Sequence, residues 1–432
     1  MNATASPDSV ALAIPFVPEA GAFALIFTIF AFERVFSRWL KTSPLLGQLI
    51  AGVIVGPACL NLVPFAQAWR FLGKLGVMLL VVESGLDTDM ERVRTYGARA
   101  FFAALCGTVF PVLLALFGAV VVFGASPRVG LAAGSAIAPT SLGFSAKLLG
   151  TEGLQTRLGS MIAIAAVVDD VLSLCLLEIV RALATAVGPW DYAKPVVASL
   201  GSIVVGVLIV FGTKKMQLVK RLETDGGDAG VLFSLAAIVF GLGWSCAAVG
   251  SSDLLGCFLS GLAFSGSAVS RQAFRTNFGR LTKIGTSLFF ACTVGFGVPS
   301  LLSSNGLFSG PAIGRGMWLL FAALVGKAFP LGFFASPLTT VTFLKFSFAM
   351  QGRGEFSFLI ADTAKTEGVL DESWHAGSIW GVFLASMIAP VAFRAILKWE
   401  SKQQGSLYAN SEVISASRQE MGTNAVELSS TI

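Results

Sequence analysis

Two adjacent carboxylates, Asp169 and Asp170, lie near the middle of an apolar run from about residue 158 to residue 183. About 20 apolar residues are enough to cross the hydrocarbon core of a bilayer, so this run is a candidate membrane span. A carboxylate at mid-depth costs roughly 2.5–3.5 kcal/mol on insertion scales, and such residues mark ion or proton pathways. The pair therefore predicts a buried site for a cation or a proton.

The composition is typical of a protein that crosses a membrane many times. Of the 432 residues, 55% are hydrophobic and 13% are charged, and the mean hydropathy is +0.78. Soluble domains carry about 25% charged residues. The net charge of +5 is spread over short loops and indicates no nucleic-acid partner, and the single histidine, His375, excludes a multi-histidine metal site. The six cysteines lack CxxC spacing. We expect no cofactor, no metal other than a transported monovalent cation, and no enzymatic activity.

Hydropathy predicts an all-α membrane protein with thirteen transmembrane helices. Residues 1–19 form an extracytoplasmic N-terminal segment, 20–398 form the transmembrane domain, and the polar residues 399–432 form a disordered cytoplasmic tail. The predicted spans are 20–38, 44–62, 70–87, 98–123, 128–149, 158–184, 194–213, 229–249, 252–268, 281–302, 312–335, 340–365 and 376–398.

Lysine and arginine in the loops predict the orientation of these spans in the bilayer. Alternate loops are rich in these residues, while the opposite set carries only scattered ones. The rich set is therefore cytoplasmic, which places the N-terminus outside and the C-terminus in the cytoplasm. Its residues are Arg34, Arg38, Lys41, Arg92, Arg94, Arg99, Lys147, Arg157, Lys214, Lys215, Lys220, Arg221, Arg271, Arg275, Arg280 and Lys283.

An internal repeat relates the two halves of the chain. Residues 45–52 (LLGQLIAG) match residues 254–261 (LLGCFLSG), and residues 72–76 match residues 281–285 at the same offset. Spans 1–6 would then be repeated as spans 8–13, so that residues 20–184 and 229–398 are the two copies. The seventh span, 194–213, is a linker helix that inverts the second copy. Inverted repeats are typical of secondary transporters, which bind their substrate at the repeat interface.

The fifth span is predicted to be a broken helix. Pro139 removes a helical hydrogen bond and clashes with the preceding turn. Thr140 and Ser141 follow it and offer oxygens beside the freed carbonyls. Non-helical backbone at this depth is tolerated only inside protein or beside a water-filled cavity. A simple proline kink is the alternative for this span taken alone.

The twelfth span, its counterpart in the second copy, is weakened at the equivalent place by Gly352 and Gly354. Two broken spans in corresponding positions indicate a transport site. If the two breaks cross, half-helix ends face one another and their partial charges need neutralising. Arg353 and Glu355 are predicted to form a local ion pair, with a role in binding substrate as the alternative.

Two further ionisable residues lie in apolar spans. Lys327, in the eleventh span, has apolar neighbours on both sides and needs a buried anion, for which the two aspartates are the candidates. Lys327 could instead reach a membrane interface. Glu83, in the third span, is predicted to pair with a cation or to face a cavity, and an accessory role as a direct ion ligand is the alternative.

Six segments, in order along residues 20–398, resemble the monovalent cation:proton antiporters, the sodium/proton exchanger type of the second branch of that superfamily. They are LGQLIAGVIVGP at 46–57, GVMLL at 76–80 leading to GLD at 85–87, VDDVL at 168–172, LGCFLSG at 255–261, FFACTVG at 289–295 and GRGEF at 352–356. The resemblance implies the sodium/proton antiporter fold, with a homodimer built from spans 1–3 and 8–10. It also implies a mobile core of spans 4–6 and 11–13, in which spans 5 and 12 cross.

The resemblance also implies roles for individual residues. Asp170 matches the carboxylate that takes either the cation or a proton, and Asp169 matches a position that is aspartate in electrogenic members. Lys327 resembles the lysine that pairs with that first aspartate, and Thr140 matches the polar residue at the break. The substrates would be Na⁺ or K⁺ and H⁺. The sequence Ala138-Pro139-Thr140 departs from the family pattern.

Other classes of membrane protein remain as alternatives. A sodium-coupled symporter of a small organic anion can share a crossed-helix architecture, and it would need more polar and cationic residues at the crossing. An intramembrane aspartyl protease needs aspartates on separate helices, whereas Asp169 and Asp170 point about 100° apart around one helix. A repeated selectivity-filter loop would indicate a channel, and the sequence shows none.

Overall fold

The structure, a computed structural model, describes residues 18–40, 43–215, 218–299, 306–335 and 337–429. Helices are the regular secondary structure of these ranges, and no strand occurs in them. The predicted all-α fold class is confirmed. An all-helical chain satisfies its backbone hydrogen bonds within each segment, as the interior of a bilayer requires.

The helices of the described ranges are numbered in chain order. The bounds are α1 Pro18–Arg34, α2 Pro44–Val55, α3 Ala66–Asp87, α4 Met90–Phe117, α5 Pro127–Ile137, α6 Leu142–Gln155, α7 Arg157–Thr185, α8 Pro189–Lys215, α9 Leu218–Ala248, α10 Asp253–Phe264, α11 Ala268–Leu288, α12 Gly310–Gly332, α13 Thr340–Ala349, α14 Glu355–Thr366 and α15 Glu372–Ser429. Short π-helical turns extend α1 to Trp39, α4 to Val122 and α11 to Val294.

These helices fall on the predicted spans in order, with α5 and α6 on the fifth and α13 and α14 on the twelfth. Seven helices of the described ranges are long and apolar enough to cross a membrane. The second helix, α2, ends at Val55, earlier than predicted, because Gly56 and Pro57 follow it. Thirteen crossings remain a prediction, since α2 and α10 have 12 residues each and are shorter than a full span.

Glycines let the two halves of the chain cross at equivalent places. A Cβ added at Gly52 of α2 would lie 1.9 Å from the carbonyl oxygen of Ala291. A Cβ added at Gly261 of α10 would lie 2.2 Å from the carbonyl oxygen of Val82. The offset from Gly52 to Gly261 equals that from Val82 to Ala291, so the two contacts are equivalent under the predicted repeat.

A third crossing relates α3 to α11 at the centre of this arrangement. A Cβ added at Gly76 would lie 2.1 Å from the carbonyl carbon of Gly285. These two glycines are separated by the same offset, so the repeat exchanges one for the other and leaves the contact unchanged. These three contacts are the pattern that a pseudo-twofold axis between the two copies would produce, as the repeat in the sequence predicts.

The helices pack as two groups around this symmetry. In the first group α3 packs against α10 and α11, α1 against α2, and α9 against α10. In the second group α12 packs against α4 and α15, α4 against α5 and α7, and α5 against α14. The first group holds the spans predicted to form the dimer, and the second holds the spans predicted to form the mobile core. Helix α8 lies beside α7, α9 and α10.

The two ends of the chain differ in what the structure describes. Residues 1–17, most of the predicted extracytoplasmic segment, lie outside the described residues. The last helix, α15, runs to Ser429, through most of the segment for which a disordered tail is predicted. That segment contains no proline to end the helix, and an ion pair between Glu400 and Lys345 of α13 holds its beginning.

Candidate functional site

The first break separates α5 from α6. Helix α5 ends at Ile137, residues 138–141 are not helical, and α6 begins at Leu142. Pro139 lies in this gap and cannot donate a backbone hydrogen bond. The Ser141 hydroxyl accepts a hydrogen bond from the Phe144 amide at 3.4 Å and so caps α6.

The second break separates α13 from α14 and depends on its glycines. Helix α13 ends at Ala349 and α14 begins at Glu355. A Cβ added at Gly352 would lie 1.7 Å from the Phe144 ring, and one added at Gly354 would lie 2.5 Å from the Cβ of Ser141. Both glycines are therefore required by the close approach of α6.

The two breaks cross each other, and hydrogen bonds join them directly. The Ser141 amide donates to the Gly352 carbonyl at 2.9 Å. The Thr140 hydroxyl donates to the Met350 carbonyl at 3.0 Å, and the Ser145 hydroxyl donates to the Ala349 carbonyl at 2.7 Å. Carbonyls freed at the end of α13 thus find donors in the other repeat.

Asp169 lies at the crossing, fully buried within an ion pair. The Lys327 ammonium is 3.0 Å and 3.1 Å from its two carboxylate oxygens, and Lys327 itself is 0% exposed. The Thr140 amide donates to Asp169 at 2.5 Å and the Thr108 hydroxyl at 2.8 Å. Lys327 also donates to the Ala138 carbonyl at 2.5 Å, where its charge opposes the negative end of α5.

Thr108 of α4 belongs to the site, although sequence reasoning missed it. A signal was present, because the segment GTVFP at 107–111 matches GKAFP at 326–330. Thr108 and Lys327 are therefore equivalent positions of the two copies, and both bind Asp169. Neighbouring contacts are similar in the two copies, since Gly326 packs on Pro111 and Gly107 packs on Leu331, one residue beyond the equivalent Pro330.

Replacing Thr108 by valine tests its role. Thr108→Val keeps the shape of the side chain and removes the donor to Asp169. Hydrogen bonds to charged groups are worth about 1.5–3 kcal/mol, so we expect the free energy of unfolding to fall by about that amount, measured by thermal denaturation. Thr95→Val, at an exposed position of the same helix, is the control. Equal behaviour of the two variants would exclude Thr108 from the site.

Asp170 is the neighbouring carboxylate, and its surroundings are different. It is 3% exposed, and the Ser84 hydroxyl of α3 donates to its Oδ2 at 3.4 Å. Its Oδ1 is buried and has no hydrogen-bond partner. Ser84 was also missed in the sequence, where the adjacent Glu83 is the more conspicuous polar residue. Asp170 thus offers a free carboxylate oxygen inside the protein.

Arg353 binds backbone carbonyls instead of the predicted local partner. Its guanidinium donates to the carbonyls of Ala138 and Pro139 at 3.1 Å and 3.2 Å. It also donates to the Ala323 carbonyl at 2.9 Å and to Gln351 at 3.3 Å. The predicted Arg353–Glu355 ion pair is absent from the described residues. The charge of Arg353 instead compensates the carbonyls that follow α5.

Glu83 lies near one end of α3 rather than at the crossing. Its carboxylate is 3.7 Å from the Arg275 guanidinium of α11, which also binds Asp87 at 2.7 Å. Arg271 is 3.5 Å from Asp87. These contacts match the predicted pairing of Glu83 with a cation and leave the accessory role untested.

A cavity of about 1000 Å³ opens at this same end of α3. Asp87, Asp89, Arg271 and Val167 are among its lining residues. Val167 is one helical turn before Asp170 on α7. The cavity thus reaches close to the unpaired carboxylate.

The chain resembles known transporters in sequence and in fold. It is 25% identical over 408 residues to the high-affinity Na⁺/H⁺ antiporter NhaS3 of Synechocystis, covering 84% of this chain and 87% of the relative. It is 25% identical over 356 residues to the Na⁺/H⁺-K⁺ antiporter GerN of Bacillus cereus, covering 80% and 87%. The solved sodium proton antiporter MjNhaP1 of Methanocaldococcus jannaschii shares the fold, with a TM-score of 0.63, 15% identity and coverage of 86% and 94%.

These relatives are transporters, which confirms the prediction that the protein is not an enzyme. The multi-pass membrane character is also confirmed by the family match and by the apolar helices. The family model for the sodium/hydrogen exchanger transmembrane domain matches residues 22–399, which include both repeats and the crossing. The chain belongs to the sodium/hydrogen exchanger family.

Proposed function

We propose that this protein exchanges Na⁺ or K⁺ for protons across a bilayer by alternating access, with Asp170 as the shared cation and proton site. Relatives named as Na⁺/H⁺ and K⁺ antiporters support cation:proton exchange as the activity. The observation that carries the proposal is the buried Oδ1 of Asp170. This atom lies beside the crossing and has no hydrogen-bond partner. A buried carboxylate in this state needs a cation or a proton.

Competition for this one carboxylate is sufficient for exchange. A dehydrated cation and a proton cannot both neutralise Asp170, so each displaces the other. Only the two loaded states neutralise the Asp170 carboxylate, so only they move across the membrane. In the cation-loaded state Lys327 releases its proton and frees Asp169, and in the proton-loaded state the two pair again, as the contacts at 3.0 Å and 3.1 Å describe.

Contacts on the other side of the site support a closed pathway there. The rings of Phe290, in the turn that follows α11, and Phe358 of α14 meet edge to face with centroids 5.7 Å apart. Lys365 of α14 donates to the Gly297 carbonyl at 3.0 Å. Both contacts join the two helix groups. With the predicted orientation, the cavity near Asp87 is the open, cytoplasmic route.

A homodimer through spans 1–3 and 8–10 is part of the proposal. Large apolar side chains cover the outer surfaces of α1 and α9. They include Phe23, Phe27, Phe30, Phe240 and Trp244. Lipid or a second copy must cover such surfaces in the membrane. Mass measurement of the detergent-solubilised protein tests the dimer, and a monomer at all concentrations would exclude it.

Cation-induced pH change in proteoliposomes tests the proposed activity. We expect Na⁺, K⁺ or Li⁺ added to one side to release protons on that side, with saturation by the preferred cation. An imposed potential changes the rate if unequal charges are exchanged. The absence of proton movement with every cation would refute the proposal. Sodium-driven uptake of an organic acid would instead support a symporter. A symporter would need a cationic side chain at the crossing to bind the acid, but Arg353 is already bound to carbonyls.

A further inference from the structure

Lys327 and Arg353 share one hydrogen-bond acceptor, the backbone carbonyl of Ala138 at the end of α5. The Lys327 ammonium lies 2.5 Å from this oxygen and the Arg353 guanidinium 3.1 Å from it, so the two nitrogens are at most about 6 Å apart. Both side chains are buried. Like charges at this distance repel each other, and burial removes the water that would screen them. The crossing therefore holds two cations in direct competition for one carbonyl.

The two cations differ in their other partners and in their chemistry. Lys327 is paired with the Asp169 carboxylate, whereas the hydrogen bonds of the Arg353 guanidinium go to neutral oxygens, those of backbone carbonyls and of Gln351. A guanidinium keeps its proton in proteins, while a buried lysine can release one. Of the two charges, Lys327 therefore carries the one that can change during a transport cycle.

Arg353 is fixed relative to Lys327 by bonds to the helix that carries it. The guanidinium donates to the Ala323 carbonyl at 2.9 Å, one helical turn before Lys327 on α12. Gln351, which accepts from the guanidinium, donates to the next carbonyl of α12, that of Leu324, at 2.9 Å. The Arg353 amide donates to the Ser386 hydroxyl of α15 at 3.1 Å. The guanidinium thus stays beside the ammonium as long as this packing is kept.

The other charges near Lys327 are the two aspartates of α7. Asp169 pairs with Lys327, and Asp170 follows it in the chain. The helices that pack on α12 carry their charged residues elsewhere, since α4 has none after Arg99 and α15 has none from residue 376 to residue 393. The remaining charged residues of these helices are Arg128 near the start of α5 and Lys345 of α13, which is bound to Glu400.

We propose that Arg353 is a positioning residue for exchange, which promotes release of the Lys327 proton when the cation binds. The inference rests on the proposed function, in which the proton leaves from the Lys327 Nζ. Repulsion by the fixed guanidinium favours the neutral amine. After the proton has left, Arg353 still donates to the carbonyls of Ala138 and Pro139, so the negative end of α5 keeps a positive charge beside it. Without Arg353, Lys327 is the one cation at these carbonyls and holds its proton more tightly.

The pH dependence of exchange in proteoliposomes tests this inference with Arg353→Gln. On the acid side of the profile, exchange is limited by the fraction of protein in which Lys327 can give up its proton. Removing a neighbouring positive charge favours the protonated form, so the pH of half-maximal exchange on this side should rise by about one unit or more. Arg353→Lys keeps a positive charge at this place, and its profile should lie within about half a unit of the wild type.

Asp170 also takes up protons, so an effect of Arg353 on Asp170 has to be separated from one on Lys327. The same substitution is therefore made in a protein that already carries Lys327→Gln and Asp169→Asn, in which Asp170 is intact and the ammonium is missing. We expect Arg353→Gln to leave the acid side of the profile unchanged in this background. A shift of equal size would show that Arg353 acts through Asp170, and it would overturn the inference. If the background does not exchange, the pH dependence of radioactive Na⁺ or K⁺ binding to the purified proteins gives the same comparison.

Arg280→Gln is the matched control, because Arg280 is an exposed arginine of α11. Its profile should coincide with that of the wild type. An unshifted profile in Arg353→Gln would overturn the inference. If Arg353→Gln is too unstable to be reconstituted, Arg353→Lys decides, and an acid side displaced upward by about one unit in spite of the retained charge would overturn it as well. Failure of the wild-type protein to exchange any cation would instead refute the proposed function itself.

Discussion

Asp170→Asn is expected to abolish exchange, with a loss of about 100-fold or more that leaves only the leak of empty liposomes. Asparagine has nearly the same shape as aspartate, but it carries no charge and does not take up a proton at the pH of the assay. The cation loses its charged ligand, and the proton loses its acceptor. Because both substrates of the cycle depend on one group, neither half of the cycle survives.

Stability measurements separate this loss from misfolding. Asp170 contributes little to the fold, since its Oδ1 has no partner and Ser84 is its one hydrogen-bond donor, at 3.4 Å. The unfolding temperature of Asp170→Asn should therefore equal or exceed that of the wild type without added cation. A ligand that binds only the folded state stabilises it by about 2.7 kcal/mol at 100 times its Kd. Added cation should stabilise the wild type and not the variant.

Asp228→Asn provides the control, since Asp228 is an exposed residue of α9. It should retain both exchange and stabilisation by cations. Exchange that persists in Asp170→Asn would place the shared site elsewhere. A variant that was simply unstable would unfold at a lower temperature in every buffer. We do not expect this, because the unpartnered Oδ1 of Asp170 makes no hydrogen bond that the substitution could remove.

The residues that the sequence alone could identify are those whose charge is conspicuous in an apolar run. Asp169, Asp170 and Lys327 stand out because few charged side chains occur in membrane spans. Pro139 and the glycines at 352 and 354 mark the breaks for a similar reason, since they disturb regular helices. The structure brings all of these positions together at one crossing.

Residues that act through an ordinary hydroxyl or through another helix were harder to predict. Thr108 and Ser84 resemble the many serines and threonines that bind their own helix, and only the fold shows which hydroxyls face a carboxylate. The sequence predicts that Arg353 pairs with its neighbour Glu355, because spacing along the chain reveals only local pairs. Its actual partners are carbonyls of α5 and α12, which lie far away in sequence.

Removing the Lys327 charge is expected to have the second large effect, mainly on stability. Lys327→Gln leaves Asp169 buried without its cation, and breaking a buried ion pair from one side costs about 3–5 kcal/mol. The carbonyl of Ala138 loses a charged donor as well. We expect a marked fall in unfolding temperature. Lys283→Gln, which removes an exposed partner 3.9 Å from Glu33, should cost about 1 kcal/mol or less.

The double variant Lys327→Gln, Asp169→Asn isolates the pair from its surroundings. Neutralising both partners removes the uncompensated charge, so stability should return toward that of the wild type. Thr108 and the Thr140 amide can still donate to the oxygen of asparagine. Groups in direct contact show interaction energies of about 0.5–3 kcal/mol, so additive effects of the two substitutions would contradict the ion pair.

Transport by this double variant then tests whether the pair carries charge during the cycle. If Lys327 releases its proton when the cation binds, a protein without either charge exchanges one cation for one proton through Asp170 alone. Its rate should not respond to an imposed membrane potential, whereas the wild-type rate should. Voltage dependence retained in the double variant would mean that Lys327 keeps its proton throughout and serves only to hold Asp169 and the carbonyl end of α5 in place.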